Sequence, residues 1–167
     1  RMRLQISTVN QNFIISSTTL ALQTIQTEHR IKTLVYERNE RIMHPRKPLH
    51  IVRGSCHFYG TSYQVTTANA KKFLANRKKT PIVLAFEHGI PIVLIPTHAA
   101  SSLLNTWICL HGIKNIKAAN EVETIIQLTN NQTITVFASE ASISRQIALA
   151  YLLKREYTER FQQFSGV

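Results

Sequence analysis

KPLHIVRGSCHFYGTSY, residues Lys47 to Tyr63, reads as a helix followed by a stop. Leu49, Val52, Cys56 and Tyr59 recur at the three-or-four-residue spacing that lines one face of a helix. Pro48 suits the first helical position, where its missing N–H costs nothing, and Gly60 suits the position just past the end. The spacing predicts a helix over 47–59, packed down by Pro48, Leu49, Val52, Cys56 and Phe58.

On the C-terminal side, a second helix is expected from about Ser62 to Arg77. Tyr63, Ala70, Phe73, Leu74 and the stem of Arg77 would lie on one side, and Lys71, Lys72, Lys78 and Lys79 on another. Pro81 should end it, because the residue before a proline is pushed out of the helical region. Before the stretch, Thr18 to Thr24 and Ile31 to Glu37 read as strands around a polar turn at Gln26 to Arg30. After it, Ile82 to Phe86 and Ile90 to Ile95 form the clearest hairpin, turning at Gly89 and closed by Pro96. Further strands are expected at Trp107 to His111, Ile113 to Ala118, Val122 to Leu128 and Thr133 to Ala138, with Asn130 and Asn131 suited to positive φ in the last turn. Ser139 or Ser142 would cap a long final helix carrying Ile143, Ile147, Ala150, Tyr157, Phe161 and Phe164 at four-three spacing, interrupted by Lys154. The expected fold is α+β: a single domain over 1–167 of antiparallel hairpins and a meander, two inserted helices, and a long C-terminal helix packed on the sheet.

Charge narrows the function. The 167 residues hold 20 Lys plus Arg against nine acids, all Glu, for a net charge of +11. From Arg41 to Asn120 the sole acid is Glu87, while Arg41, Arg46, Lys47, Arg53, Lys71, Lys72, Arg77, Lys78 and Lys79 crowd the first half of that span. A charge run is ordinarily a solvated face, but such faces mix signs, with Glu three or four residues from Lys. Like charges concentrated without acids repel one another unless a polyanion neutralises them, and phosphate is the commonest candidate. A membrane surface fits less well, because the basic helix has few large apolar residues opposite its lysines and no Trp. The most apolar windows are far shorter than the ~20 residues of a membrane span. The absence of an apolar signal core at the N-terminus and the two well-separated cysteines lead us to expect a reducing, cytoplasmic setting.

Other chemistries find weaker footing. Cys56, His57, Cys109 and His111 have zinc-type side chains, but adjacent Cys-His and Cys-x-His spacings are unlike structural sites, and both thiols occupy apolar positions. No metal or other cofactor is expected. The chain has no aspartate, Gly-rich phosphate loop or nucleophile elbow, so catalysis is not expected either. Two helices broken at Gly60 permit a helix-turn-helix, although the second offers only Ser62, Gln64, Thr66 and Thr67 near its leading end. The plainer reading is two helices covering one face of a sheet.

Taken together, Lys47, Pro48, Leu49, Ile51, Val52, Ser55, Cys56, Phe58, Gly60, Ser62 and Tyr63 trace a pattern that closely resembles the competence transcription factors of Gram-positive bacteria, the ComK family. Later landmarks follow in order: Lys79, Pro81 and Ile82; Pro96, Thr97 and a nearby Ser; Trp107 and Ile108; Asn131; Ser142 and Gln146. The resemblance spans about 18–160. It implies a cytoplasmic, sequence-specific activator of DNA-uptake genes that recognises AT-rich promoter boxes in duplex DNA, acts as dimers that assemble in pairs, and works with RNA polymerase; a protease adaptor joins the expected partners. A narrow AT-rich minor groove concentrates negative potential, which suits a lysine- and arginine-rich reader. The chain departs from the family at Val65 to Asn69, where members commonly carry Gly-Arg-Lys-Ala-Gly, and at Leu94 and Ile95, where an aromatic pair is usual. Its cations appear a turn or more later, so the expected DNA-contacting residues are Lys47, Arg53, Lys71, Lys72, Arg77, Lys78 and Lys79. The rival expectation is a pleckstrin-homology-like module of meander and terminal helix, binding a peptide or an anionic lipid.

Overall fold

Ten strands and three helices make up the computed structural model, which describes residues 6–8, 12–75 and 78–164. In chain order they are β1 (Ile6–Thr8), β2 (Thr19–Gln26), β3 (Ile31–Glu37), β4 (Arg41–His44), α1 (Pro48–Phe58), α2 (Tyr63–Leu74), β5 (Ile82–Glu87), β6 (Ile90–Pro96), β7 (Thr106–Cys109), β8 (Ile113–Ala118), β9 (Thr124–Leu128), β10 (Thr133–Val136) and α3 (Glu140–Phe164). The α+β class is as expected.

The strands predicted before the two helices and the hairpin predicted after them join in one sheet. Seven strands join in the order β1-β4-β3-β2-β7-β6-β5, with β8, β9 and β10 forming a separate three-stranded meander. The join is β2 against β7, pairing Ala21 with Ile108 and Leu22 with Trp107. Short β1 adds a parallel edge on β4. Neither β1 nor β4 was anticipated, because three- and four-residue strands carry too little alternation to stand out.

Alternation along the strands separates two faces. Leu22, Val35, Ile92, Leu94, Trp107 and Cys109 cluster with Ile51, Val52 and Cys56 of α1. Of the opposite face, Leu20, Leu34, Tyr36 and Ile108 meet Ile126, Leu128, Ile134 and Val136 of the meander. Val83, Val93 and Ile95 meet Leu149, Ala150 and Leu153 of α3. Helix α2 begins on the first face, where Tyr63 packs, and ends against the second through Ala70 and Leu74. It thereby passes edge strand β5 and shields it.

Several boundaries differ from expectation. Helix α2 stops at Leu74, well before Pro81: Ala75 adopts the left-handed conformation (φ 56°) and its N–H bonds the Lys71 carbonyl. The predicted strand 107–111 ends at Cys109 and turns as a 3₁₀ segment, Leu110–Gly112, into β8. The cap of α3 is Ser139, whose Oγ accepts the Ser142 N–H at 3.2 Å. The buried side of α3 includes Gln146, Leu149 and Leu153 as well as the predicted Ile143 and Ala150. Gln146 donates through Nε2 to the carbonyls of Lys79 and Pro96, each at 3.0 Å, tying α3 to both flanks of the β5–β6 hairpin. Phe58 does not pack α1 down: it is 67% exposed, two residues and therefore half a helical turn round from buried Cys56. Asn131 does take positive φ, 70°, in the β9–β10 turn.

Candidate nucleic-acid interface

The Lys47–Tyr63 pattern is mostly scaffold, and its polar members show how. Ser55 is fully buried, and its Oγ accepts the Ile15 N–H at 3.0 Å. One turn on, the Tyr59 hydroxyl donates to the Ile15 carbonyl at 2.7 Å. Both backbone groups of Ile15 are thus held by α1 and its C-cap residue, which fixes the segment entering β2. Gly60 has φ 82°, Ser62 caps α2 by accepting the Val65 N–H at 3.1 Å, and the Tyr63 ring meets Trp107 edge-on at 6.3 Å.

What that scaffold leaves outward is the N-terminal end of α1. Arg46, Lys47, His50 and Arg53 are exposed there and, with Thr24, Leu49 and the loop from Ala100 to Leu103, line a cleft of about 500 Å³ with no acidic side chain in its wall. Lys47 makes no side-chain capping bond, Pro48 has no N–H, and the N–H groups of His50 and Ile51 bond the Lys47 carbonyl, so the start of α1 adds to the positive potential through the helix dipole. The Arg46 backbone is anchored: its carbonyl accepts the Thr33 hydroxyl at 2.7 Å and its N–H donates to His44 Nδ1 at 3.1 Å. Its guanidinium lies 3.2 Å from His50 Nδ1, which must accept because arginine only donates. Partial burial, then the charge of Arg46 and the ring of His44, hold the His50 pKa below the ordinary histidine range. Arg53 lies over the Tyr63 ring, 5.8 Å from its centre, so its stem is braced while its charge stays in water. Such an array of fixed donors fits phosphate oxygens.

The opposite wall is a stiff loop. The Thr97 hydroxyl accepts the Thr106 N–H at 2.9 Å, and the Asn105 side-chain carbonyl accepts the His98 N–H at 2.9 Å. His98 Nε2 lies 2.8 Å from the Phe137 carbonyl and must donate, which leaves Nδ1 to accept from Thr97 at 2.7 Å. The Asn105 carbonyl accepts from Thr24 at 2.8 Å, pinning the loop to β2.

The remaining expected contacts lie elsewhere. Lys71 and Lys72 sit in the last turn of α2, about 12 Å of helix beyond Tyr63 and the Arg53 it braces. Lys72 and Lys78 are exposed and Lys71 is half-buried. Lys79 is half-buried, its Nζ donating to Ser142 Oγ at 3.2 Å at the start of α3. Arg77 lies outside the described residues. The structure therefore groups Lys47 with Arg53 and sets the α2 lysines apart from them. It adds Arg46 and His50, which the cation spacing alone did not single out, and the loop serines Ser101 and Ser102, of which the sequence marked only a Ser near Pro96 and Thr97 as a landmark, with no role in binding.

Cys56 and Cys109 are buried free thiols, as their apolar positions suggested, and burial raises the pKa of each. Among the described residues no three His, Cys, Asp or Glu side chains gather as a metal-binding group, and no helix is long and apolar enough to cross a membrane.

The model of the ComK protein family matches residues 10–162. The competence transcription factor of Bacillus subtilis (strain 168) is 24% identical over 150 residues, which cover 90% of this chain and 77% of that protein. No solved structure matches the chain.

Proposed function

Because the chain belongs to the ComK protein family, we propose that it is a transcriptional activator of competence genes that binds AT-rich promoter DNA through phosphate contacts and the minor groove. The observation that carries this reading is the acid-free cleft between the start of α1 and the Ala100–Leu103 loop, where Arg46, Lys47, His50 and Arg53 converge. Lys47 and Arg53 would hold one stretch of backbone, and Lys71, Lys72, Arg77, Lys78 and Lys79 a second, reached by a duplex that runs along α2. The protein would work in the cytoplasm, by binding and not catalysis, as dimers that pair on DNA and engage RNA polymerase, with a protease adaptor setting its level.

Titration of a labelled AT-rich duplex at rising salt tests this. The affinity is expected to fall steeply, with a log–log slope of about −0.9 per neutralised phosphate. Replacing Lys71, Lys72, Lys78 and Lys79 with Ala should flatten that slope without unfolding the chain. The rival reading rests on the β8–β10 meander followed by α3, which would suit a peptide- or lipid-binding module. Co-sedimentation with anionic vesicles, together with weak and salt-insensitive DNA binding, would establish the rival and reject the DNA reading.

A further inference from the structure

We infer that Leu103 and Leu104 form an apolar wedge that enters the minor groove and opens a base step, beside a cleft that holds the flanking phosphates. The inference rests on the DNA reading above and names how its site would engage a duplex.

Leu103 is 48% exposed and Leu104 54%, side by side at the tip of the loop between β6 and β7. Two neighbouring leucines in water are unfavourable unless something covers them. Floppiness does not explain the exposure, because the tip is tied down. Ser102 N–H donates to the Ala99 carbonyl at 2.9 Å, Asn105 N–H to the Ser102 carbonyl at 3.1 Å, and Leu104 N–H to Ser102 Oγ at 3.1 Å. The base of the loop is held by the Thr97, His98 and Asn105 bonds and by Thr24. A rigid loop keeps the leucines outward at no further ordering cost on binding.

Charge selects the occupant. Leu103 lines the same cleft as Arg46, Lys47 and Arg53, so whatever covers the leucines must place negative charge within reach of three cationic side chains. An ordinary apolar protein surface would leave those cations desolvated and unpaired. A duplex satisfies both demands at once: phosphates line the edges of the minor groove and the apolar faces of bases become available when a step unstacks. AT-rich DNA suits this, since TA steps open most easily.

The test uses the full chain and AT-rich duplexes carrying 2-aminopurine at successive positions, whose fluorescence rises when a base unstacks. Binding of the wild-type chain should raise the signal severalfold at one or two adjacent steps. The Leu103→Ser/Leu104→Ser variant, whose changes lie on the surface and whose folding is checked by circular dichroism, should lose that rise. It should bind about tenfold more weakly, as expected for loss of buried leucine surface, with an unchanged salt slope. A Lys47→Ala/Arg53→Ala variant should instead flatten the slope and leave the unstacking at saturation. If the wild-type chain binds without any rise, or the serine variant unstacks the duplex equally, the wedge is overturned and the DNA reading stands. If the wild-type chain binds no duplex, both fall.

Discussion

Ser55 shows how much a single side chain can carry. Its hydroxyl is the partner of the Ile15 N–H in a fully buried position, so Ser55→Ala would strand that donor. We predict a loss of about 1–3 kcal/mol in urea unfolding, larger than an exposed Ser→Ala change in the same chain, such as Ser144→Ala. A loss indistinguishable from Ser144→Ala would show that Ile15 is held by Tyr59 alone. In the sequence Ser55 was legible as part of a pattern, but not its role, because its partner lies forty residues away. The apolar members were easier to read: Val52 and Cys56 recur at helical spacing and are both buried. Phe58 failed the same reasoning because it was counted with the pattern instead of with the helical angle.

At the level of elements, capping chemistry at starts proved more legible than at stops. Pro48, Ser62 and Ser139 each mark a helix beginning, since a side chain or ring there acts on its own backbone. The end of α2 was missed because Ala75 in the left-handed region carries no local signature; Gly or Asn would have. Ala75→Gly is therefore expected to stabilise the chain by about 1 kcal/mol, read as a raised thermal midpoint. An unchanged or lowered midpoint would mean that the added freedom of glycine in the unfolded chain offsets the relieved strain. The end of α3 is secured differently: Phe161 stacks on Phe86 with ring centres 5.3 Å apart, and Arg160 lies 4.3 Å over the Phe73 ring. Aromatic residues were visible in the four-three stripe, but their partners on β5 and α2 were not.

For the molecule as a whole, a net charge of +11 remains largely uncompensated. Ion pairs such as Glu156 with Arg160 at 3.6 Å are exposed and contribute little. Self-repulsion should therefore fall as salt is added, and the thermal midpoint should rise by ~2–4 °C between low and moderate ionic strength, equivalent to about 1 kcal/mol for a chain of this size. Differential scanning calorimetry without DNA would measure it. A midpoint that falls with salt would show instead that attractive pairs dominate the folded state. The same excess of cations fits the DNA reading, in which phosphate replaces the missing acids.

The composition and its order along the chain determined the α+β class, the three helices, the β5–β6 hairpin and a cationic surface without acids, because periodicity, caps and charge are local properties that a window of residues carries complete. Tertiary structure alone decided that β2 pairs with β7, that α2 passes the sheet edge and so separates its lysines from Arg53, and that a loop some fifty residues downstream closes a cleft on the start of α1. Those arrangements depend on which apolar surfaces bury one another, and burial is settled among residues distant in sequence.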